Sequence, residues 1–313
     1  MKASVLVAML QVVALSAAVP PQASSKPMEG CAPTPFGLAP QAEVVEITNS
    51  ETVRVIDGRL QRLDLHTGEK RGDLGPVGPG GPRDLVAPAA SMSSRCGDPE
   101  LDGEAAMDHS QKNIQQFSTT WTVPSPPIDR DCGWSKKSMP FSIWNAVTGG
   151  NDGILQPVLG WCWFNEPKYT LANWGEIGGK YVHGKIVEVA PGTSVTGVID
   201  FMGKNKDGYA YRVSFVGYPD ADLTYTRPSA AEGIMEYIEK RDFPGPDTTL
   251  PAEGEHVAFT DIKLTLQPCH EAPKVINWTT NNTSYPKYPT NSGYNTLIVD
   301  DSSTHGHVEI YYR

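Results

Sequence analysis

Phe141–Phe164 reads FSIWNAVTGGNDGILQPVLGWCWF, and this stretch decides the fold prediction. Two apolar runs flank a turn-forming Gly-Gly-Asn-Asp-Gly segment, which is typical of adjacent strands in one sheet. In an extended strand Gln156 points to the same face as Ile154 and Val158. An amide on an apolar face is either satisfied by protein hydrogen bonds or offered to a ligand, and both interpretations stay open at this point.

Short β-rich runs continue from residue 117 to the end of the chain, separated by turn residues. About a dozen such runs are typical of a sandwich or a barrel. The segment 229–242 is the exception. Its Glu236–Lys240 spacing and its position after Pro228 favour a helix, whereas a strand would place Glu236 in the middle of an apolar row.

The beginning of the chain predicts export. Residues 1–18 have a short charged start, an apolar stretch and small residues, as in a secretory signal peptide. Residues 19–110 are rich in Pro, Ala, Ser and Gly, and we expect a mostly irregular pro-region or linker in which 44–64 forms a small hairpin around an Asp-Gly turn. The main domain is expected over 111–313.

The composition argues against several classes of partner and location. The net charge is −10 with a sequence pI of about 5.2, and no basic block is present, so a nucleic-acid partner is not expected. No later stretch reaches the length of a membrane span, so the protein is expected to be secreted and free of the membrane. Sequons at Asn277, Asn281 and Asn282 agree with an exported glycoprotein.

Nucleophile and metal motifs are not found. There is no G-x-S-x-G or H-E-x-x-H motif, and the five cysteines have spacings unlike those of a zinc site, so no metal or cofactor is expected. Cys162 is interpreted as a disulfide cysteine, since export permits disulfides. What remains is carboxylate and amide chemistry on a β-fold.

The order of motifs resembles the glutamic peptidases (eqolisins), which are secreted acid endopeptidases. The resemblance covers roughly 115–313 and rests on short motifs in the family's order, which are FSTTWTVPS at 117–125, Ser142-Ile143-Trp144, Ile154-Leu155-Gln156, Cys162, Leu171-Ala172-Asn173-Trp174, Pro191-Gly192-Thr193, Met235-Glu236-Tyr237-Ile238 and the last strand at 308–312. No one of these motifs is specific.

The resemblance implies a fold and a site. The fold would be all-β, a two-sheet antiparallel β-sandwich of the concanavalin-like kind, and 229–242 would be a strand. Gln156 and Glu236 would be catalytic and would meet on the concave face of one sheet. Trp144, Trp174 and Asp152 would bind substrate, and the N-terminal segment would be the propeptide of a zymogen.

The chain also departs from the family pattern. Thr148 stands where an acidic residue is expected, and Pro157 follows Gln156 inside a strand, where proline is unusual. Cys162 lacks the family's partner just upstream of the glutamine, and Cys132 is the candidate replacement. These departures leave room for a relative that kept the fold and changed the activity.

Two functions from different classes follow. The first is an acid endopeptidase that acts on polypeptides as a monomer, with Glu236 as general base and Gln156 as oxyanion stabiliser. The second is a non-catalytic sandwich that binds carbohydrate or a protein through its tryptophans, which are Trp121, Trp144, Trp161, Trp163 and Trp174. A glycan hydrolase is a third and weaker hypothesis about the function. It would need a second carboxylate near Glu236, supplied by Glu176, Glu188 or Glu239.

Overall fold

A computed structural model of the chain shows an almost entirely β architecture. It describes residues 30–35, 37–77, 101–127, 132, 141–149, 153–163, 166–177, 179–241, 255–267, 272–280 and 294–312. Within these ranges, no helix is long and apolar enough to cross a membrane.

The described residues form strands joined by turns and by two short 3-10 helices at Gln41–Glu43 and Pro219–Ala221. In chain order the strands are β1 (Cys31–Thr34), β2 (Gly37–Pro40), β3 (Val44–Glu46), β4 (Glu51–Ile56), β5 (Arg59–Asp64), β6 (Lys70–Pro76), β7 (Leu101–Asp108), β8 (Ile114–Thr122), β9 (Phe141–Thr148), β10 (Ile154–Trp161), β11 (Tyr169–Ile177), β12 (Lys180–His183), β13 (Val187–Val189), β14 (Ser194–Asn205), β15 (Gly208–Phe215), β16 (Leu223–Arg227), β17 (Gly233–Arg241), β18 (His256–Leu266), β19 (Thr279–Thr280), β20 (Tyr294–Asp300) and β21 (Gly306–Tyr312).

Two large sheets form the sandwich, as expected. Sheet 1 has the order β19-β7-β17-β9-β10-β11-β12-β3, with β13 also paired to β11, and sheet 2 has the order β20-β21-β18-β8-β14-β15-β16-β4-β5-β6. Pairing is antiparallel except where the N-terminal strands β3 and β4 join the sheets in parallel. The all-β sandwich predicted from the sequence is therefore confirmed.

The N-terminal segment is more regular than its composition predicts. The hairpin predicted around the Asp-Gly turn is present as β4 and β5, with Asp57 and Gly58 at positive φ. One hairpin is not stable alone, and here β4 pairs with β16 and so joins sheet 2. The prediction of irregular structure therefore does not hold for the described residues on either side of this hairpin, where β1, β2 and β6 form. The boundary near residue 110 stays a prediction.

The helix favoured by the local pattern of 229–242 is wrong, and the strand implied by the family resemblance is confirmed. This segment contains β17, which pairs with β7 on one side and β9 on the other. Ile234, Glu236 and Ile238 alternate with Met235 and Tyr237 along it. Partners on both sides supply hydrogen bonds that outweigh the weak local preference for a helix.

Both faces of sheet 1 are buried. The core between the sheets includes Leu155, Leu159 and Ile234 from sheet 1, with Trp121 and Ile199 from sheet 2. A second buried set, the outer-face cluster, lies on the opposite side of sheet 1 and consists of Ala39, Met107, Trp144, Ala146, Ile154, Val158, Trp163, Ala172, Trp174, Tyr181 and Met235. Because both faces are covered, central strands such as β9 and β10 carry apolar residues on both faces and do not alternate regularly between polar and apolar positions.

One disulfide in the described residues joins Cys132 to Cys162, with the two Cα atoms 5.3 Å apart. Cys162 directly follows β10, so the bond ties the end of the Gln156 strand to the segment before β9. This confirms the interpretation of Cys162 as a disulfide cysteine and the choice of Cys132 as its partner.

Candidate functional site

Gln156 lies in the middle of β10, a strand in which every residue is buried. Its own exposed fraction is 0%, and it is paired with Trp174 of β11. Among the residues that the structure describes, neither Nε2 nor Oε1 of its amide has a hydrogen-bond partner. Most buried polar side chains are satisfied, so this amide requires an explanation.

The neighbours of Gln156 show which face it occupies. A Cβ atom built on Gly197 of sheet 2 would lie 2.4 Å from Oδ1 of Asn145 and 2.7 Å from Cγ of Pro157. Asn145 and Pro157 therefore point between the sheets. Because side chains alternate along a strand, Gln156 points the other way, into the outer-face cluster with Ile154 and Val158.

Glu236 occupies the opposite face. It is paired with Asn145 of β9, and its Oε1 accepts a hydrogen bond from the hydroxyl of Thr119 on sheet 2. Its exposed fraction is 0%, and its Oε2 has no hydrogen-bond partner in the described part of the chain. Burial raises the pKa of this carboxyl well above its ordinary value, and the Thr119 hydrogen bond opposes that shift. The Glu236 carboxyl group is thus in the middle of an apolar row, as expected when this segment is a strand.

The expectation that Gln156 and Glu236 meet on one concave face is therefore wrong for this arrangement. They lie on opposite sides of sheet 1, and Glu236 faces the core between the sheets. The physical reason is the period of two along β17, which directs Met235 and Tyr237, and not Glu236, to the face of Gln156. Their catalytic roles stay predictions.

Two predicted substrate-binding residues lie on the face of Gln156. The Trp144 ring stacks on Tyr237 with centroids 4.7 Å apart, and its Nε1 donates to Glu239 at 3.0 Å. Trp174 has ring contacts with Trp163 and His183 at centroid distances of 5.4 and 4.5 Å. The third predicted residue, Asp152, lies outside the described residues.

The outer face carries further titratable groups that sequence reasoning did not place there. Glu176 of β11 and His183 of β12 are 6% and 8% exposed, and Glu239 of β17 is 8% exposed. Each lies two residues from an outer-face aromatic residue on its own strand. This spacing identifies the face of each group only when the strand pairing is known. Glu176 and Glu239 entered the sequence analysis only as partners for a glycan hydrolase.

His183 is held in one orientation. Its Nδ1 lies 2.7 Å from the carbonyl oxygen of Gly184 and donates to it, which leaves Nε2 as the acceptor of a neutral ring. Burial lowers the pKa of His183, so the ring is neutral over a wider range of acid pH than a free histidine. The His183 ring lies beside Trp174 and adds a polar group to a surface that aromatic side chains otherwise form.

N-terminal strands help to cover this face. Ala39 of β2 has an exposed fraction of 0% and packs in the outer-face cluster with Trp144 and Trp174. Val44 packs against the same cluster, and β3 extends the edge of sheet 1 beside β12. The candidate site is consequently closed in the full chain.

The loop before β10 is anchored by a buried arginine. Arg227, with an exposed fraction of 0%, donates through one Nη to the carbonyl oxygens of Gly149 at 2.8 Å and Gly153 at 3.1 Å. Gly149 follows β9 and Gly153 precedes β10, so Arg227 holds both ends of the loop that leads into the Gln156 strand. Among the described residues, no group of three or more His, Cys, Asp or Glu side chains is arranged to hold a metal ion.

Comparison with known proteins gives a likeness at the level of solved structures. No family model and no curated protein matches the chain. Two crystal structures of scytalido-glutamic peptidase, one with a peptide-based transition state analogue and one with a transition state analogue inhibitor, are similar at 14% identity, and each match covers 69% of this chain and 100% of the other. The TM-scores are 0.44 and 0.42, so the likeness assigns neither a family nor a site residue.

Proposed function

We propose that this chain is the precursor of a secreted acid endopeptidase of the glutamic type, in which Gln156 stabilises the oxyanion formed from a peptide substrate. The observation that carries the proposal is the Gln156 amide, which is wholly buried and has no hydrogen-bond partner for either polar atom among the described residues. The family resemblance, argued from the order of short motifs, assigns a catalytic role to the same residue.

The energetic cost of the amide supports a functional role. A buried polar group without a hydrogen bond destabilises a protein by about 1–3 kcal/mol. An apolar side chain of similar size would avoid this cost on a face that already holds Ile154 and Val158. In a peptidase, the Nε2 hydrogens would instead donate to the oxygen on which negative charge develops, and such a donor contributes about 3–4 kcal/mol to the transition state.

The covered outer face supports the precursor part of the proposal. Ala39 packs among the tryptophans of that face, so a polypeptide substrate has no access to Gln156 in the full chain. A cut near residue 110 would remove β1 through β7 and expose this face. In this proposal residues 1–18 are the signal peptide, 19–110 the pro-region and 111–313 the mature enzyme.

The reaction also needs a carboxylate beside Gln156. Glu236, the base expected from the sequence, would reach that face only if β17 shifted by one residue against β9, since such a shift exchanges the two faces of a strand. The other neighbour of β17 is β7, which the cut would remove.

The test is an assay of residues 19–313 at about pH 3–4, near the ordinary pKa of a carboxyl group, with a denatured protein as substrate. Gln156→Ala and Gln156→Met are compared with wild type and with the control Gln115→Ala, whose amide donates to the Phe201 carbonyl on sheet 2. We expect cleavage by wild type and control that resists chelators and serine-protease inhibitors, and none by either Gln156 variant.

Gln156→Met also separates function from folding. It removes an unsatisfied amide while filling the same space, so the variant should unfold at a temperature equal to or above that of wild type while being inactive. A wild-type chain that is folded but inert from pH 2 to 7, with or without residues 19–110, would overturn the peptidase proposal. So would full activity in Gln156→Met.

A specific observation favours a second candidate, a non-catalytic binding protein. Gln156 and Glu236 lie on opposite faces of sheet 1, as expected if no catalytic pair is formed. Trp121 and Trp161 belong to the core between the sheets, which leaves Trp144, Trp163 and Trp174 as the aromatic residues of a binding face. Glycan binding by a processed but inert chain, lost in Trp174→Ala, would establish this alternative.

A further inference from the structure

We propose that Glu176 is the general base that works with Gln156, an assignment that rests on the proposed function. Two side chains on one sheet face carry the inference. One is the buried Gln156 amide, for which the described residues supply no hydrogen-bond partner, and the other is a buried carboxylate on the next strand. It requires no change in the register of β17.

The pairing of β10 with β11 places the two side chains together. Gln156 is opposite Trp174, and Glu176 is two residues further along β11 on the same side. A Cβ atom built on Gly175 would lie 3.1 Å from Leu155, in the core between the sheets, which confirms that Glu176 points outward. Diagonal neighbours of this kind have Cβ atoms about 7 Å apart, so a glutamine and a glutamate can contact one substrate group and one water between them.

The carboxylate of Glu176 is oriented by the backbone around it. Oε1 accepts a hydrogen bond from the backbone N–H of Gly179 at 3.0 Å, so one oxygen is fixed. A Cβ atom built on Gly153 would lie 2.8 Å from Oε2, which places the second oxygen beside the residue that precedes β10. One oxygen is therefore anchored at the turn after β11, and the other lies near the start of the strand that carries Gln156.

The other buried carboxylates fit less well. Glu236 faces the opposite side of the sheet and is bonded to Thr119. Glu239 shares the outer face but accepts the Trp144 indole N–H, and its strand β17 is separated from β10 by β9. Glu176 is the carboxylate on the strand next to Gln156 and on its face.

The chemistry follows from this placement. The Glu176 carboxylate takes a proton from water while the water oxygen bonds to the peptide carbonyl carbon, and the carbonyl electron pair moves to the oxygen beside the Gln156 Nε2 hydrogens. The tetrahedral intermediate then reforms its carbonyl as the C–N bond breaks. The Glu176 carboxyl returns the proton to the leaving nitrogen, so the products are an acid and an amine.

The test compares Glu176→Gln with Glu236→Gln and with the control Glu232→Gln, an exposed position before β17. Glutamine at 176 keeps an acceptor for the Gly179 N–H and cannot act as a base, so folding should be preserved. For processed Glu176→Gln we expect kcat to fall by about 10²–10⁴-fold, the usual contribution of general acid–base catalysis, with KM nearly unchanged. The control should equal wild type.

The outcomes separate this inference from the proposed function. If Glu176→Gln keeps wild-type kcat while Glu236→Gln abolishes it, the Glu176 assignment falls and the peptidase proposal stands. If wild type itself is inert after processing, both proposals fall. If Glu176→Gln is inactive but its melting temperature and tryptophan fluorescence differ from those of wild type, the loss is structural, and the assignment falls unless Glu176→Asp restores activity in a folded chain.

Discussion

Gln156 and Glu236 belong to the same sheet, two strands apart, and point to opposite sides of it. Gln156 lies among aromatic side chains on the outer face, whereas Glu236 lies between the two sheets and is bonded to Thr119. One residue is thus at a covered candidate site, and the other is an acid inside the core. This relationship directs the predictions that follow.

The buried Glu236 should make stability fall as pH rises. Its pKa is raised by burial, so between the ordinary value near 4.5 and the raised value the folded state binds more protons than the unfolded state. The stability it contributes is present below pH 4.5 and is lost as pH rises towards the raised pKa. If the pKa of Glu236 in the folded state exceeds that in the unfolded state by one, the loss in the free energy of unfolding across this pH range is about 1.4 kcal/mol.

Urea unfolding of wild type, Glu236→Gln and Glu232→Gln between pH 3 and 7 checks this. Glu236→Gln should flatten the dependence relative to wild type and be the more stable protein at neutral pH, because a neutral amide needs no proton. Identical slopes in all three proteins would show that the pKa of Glu236 is not raised in the folded state.

Gly153 should tolerate alanine much less well than Gly179 does. Both have positive φ, 75° and 79°, so the backbone strain of about 1 kcal/mol or more is shared by the two substitutions. A Cβ atom at 153 would also lie 1.8 Å from the Glu176 carbonyl oxygen, whereas nothing lies within 4 Å at 179. The difference between the two free energies of unfolding therefore measures the steric clash alone.

We expect Gly153→Ala to lose at least about 2 kcal/mol more than Gly179→Ala, as for overpacking against a rigid backbone. Equal losses in the two variants, measured by chemical denaturation, would mean that β10 and β11 do not approach as closely as described. Gly153→Ala should also reduce any activity, because it displaces Glu176.

The contact of Ala39 with the outer-face cluster should keep the aromatic face closed. Ala39→Asp would bury a charge among tryptophans, so we expect β1 and β2, which pair with each other as an antiparallel hairpin, to detach while the sandwich remains folded. Acrylamide quenching of tryptophan fluorescence and the rate of proteolysis within 31–40 should both increase. The matched control is Gln41→Asp, two residues further on and exposed; equal effects in both variants would contradict the role of Ala39.

Asp108 should be a major contributor to stability. It is 2% exposed and accepts hydrogen bonds from Ser110 N and Oγ at 2.7 and 2.6 Å, from Gln111 Nε2 at 2.6 Å and from Asn277 N at 2.9 Å. Asp108→Ala leaves these donors unpaired, and we expect a loss of about 3 kcal/mol or more in the free energy of unfolding.

Asp108→Asn should lose less than Asp108→Ala, because an amide retains one acceptor oxygen. The measurement is equilibrium unfolding in urea, with Asp301→Ala, an exposed position near the C-terminus, as the control. A loss at Asp108 no larger than that of the control would show that the network is not formed in solution.

Much of the local structure could be predicted from the sequence. Alternation and turn residues predicted the strands of the sandwich and the hairpin at Asp57-Gly58, both of which are present. The same alternation placed Gln156 with Ile154 and Val158, and Glu236 in an apolar row with Ile234 and Ile238. These are short-range properties, because a side chain's neighbours two residues away are set by the period of the strand alone.

The side of the sheet that each apolar row faces could be known only from the tertiary structure. Sheet 1 is buried on both sides, so an apolar row does not distinguish the core between the sheets from the outer face covered by Ala39 and Val44. The face of Glu236 and the proximity of Glu176 to Gln156 depend on the pairing of β17 with β9 and of β10 with β11. These pairings join residues far apart in the chain, and a period of two carries no information about the strand that will lie alongside.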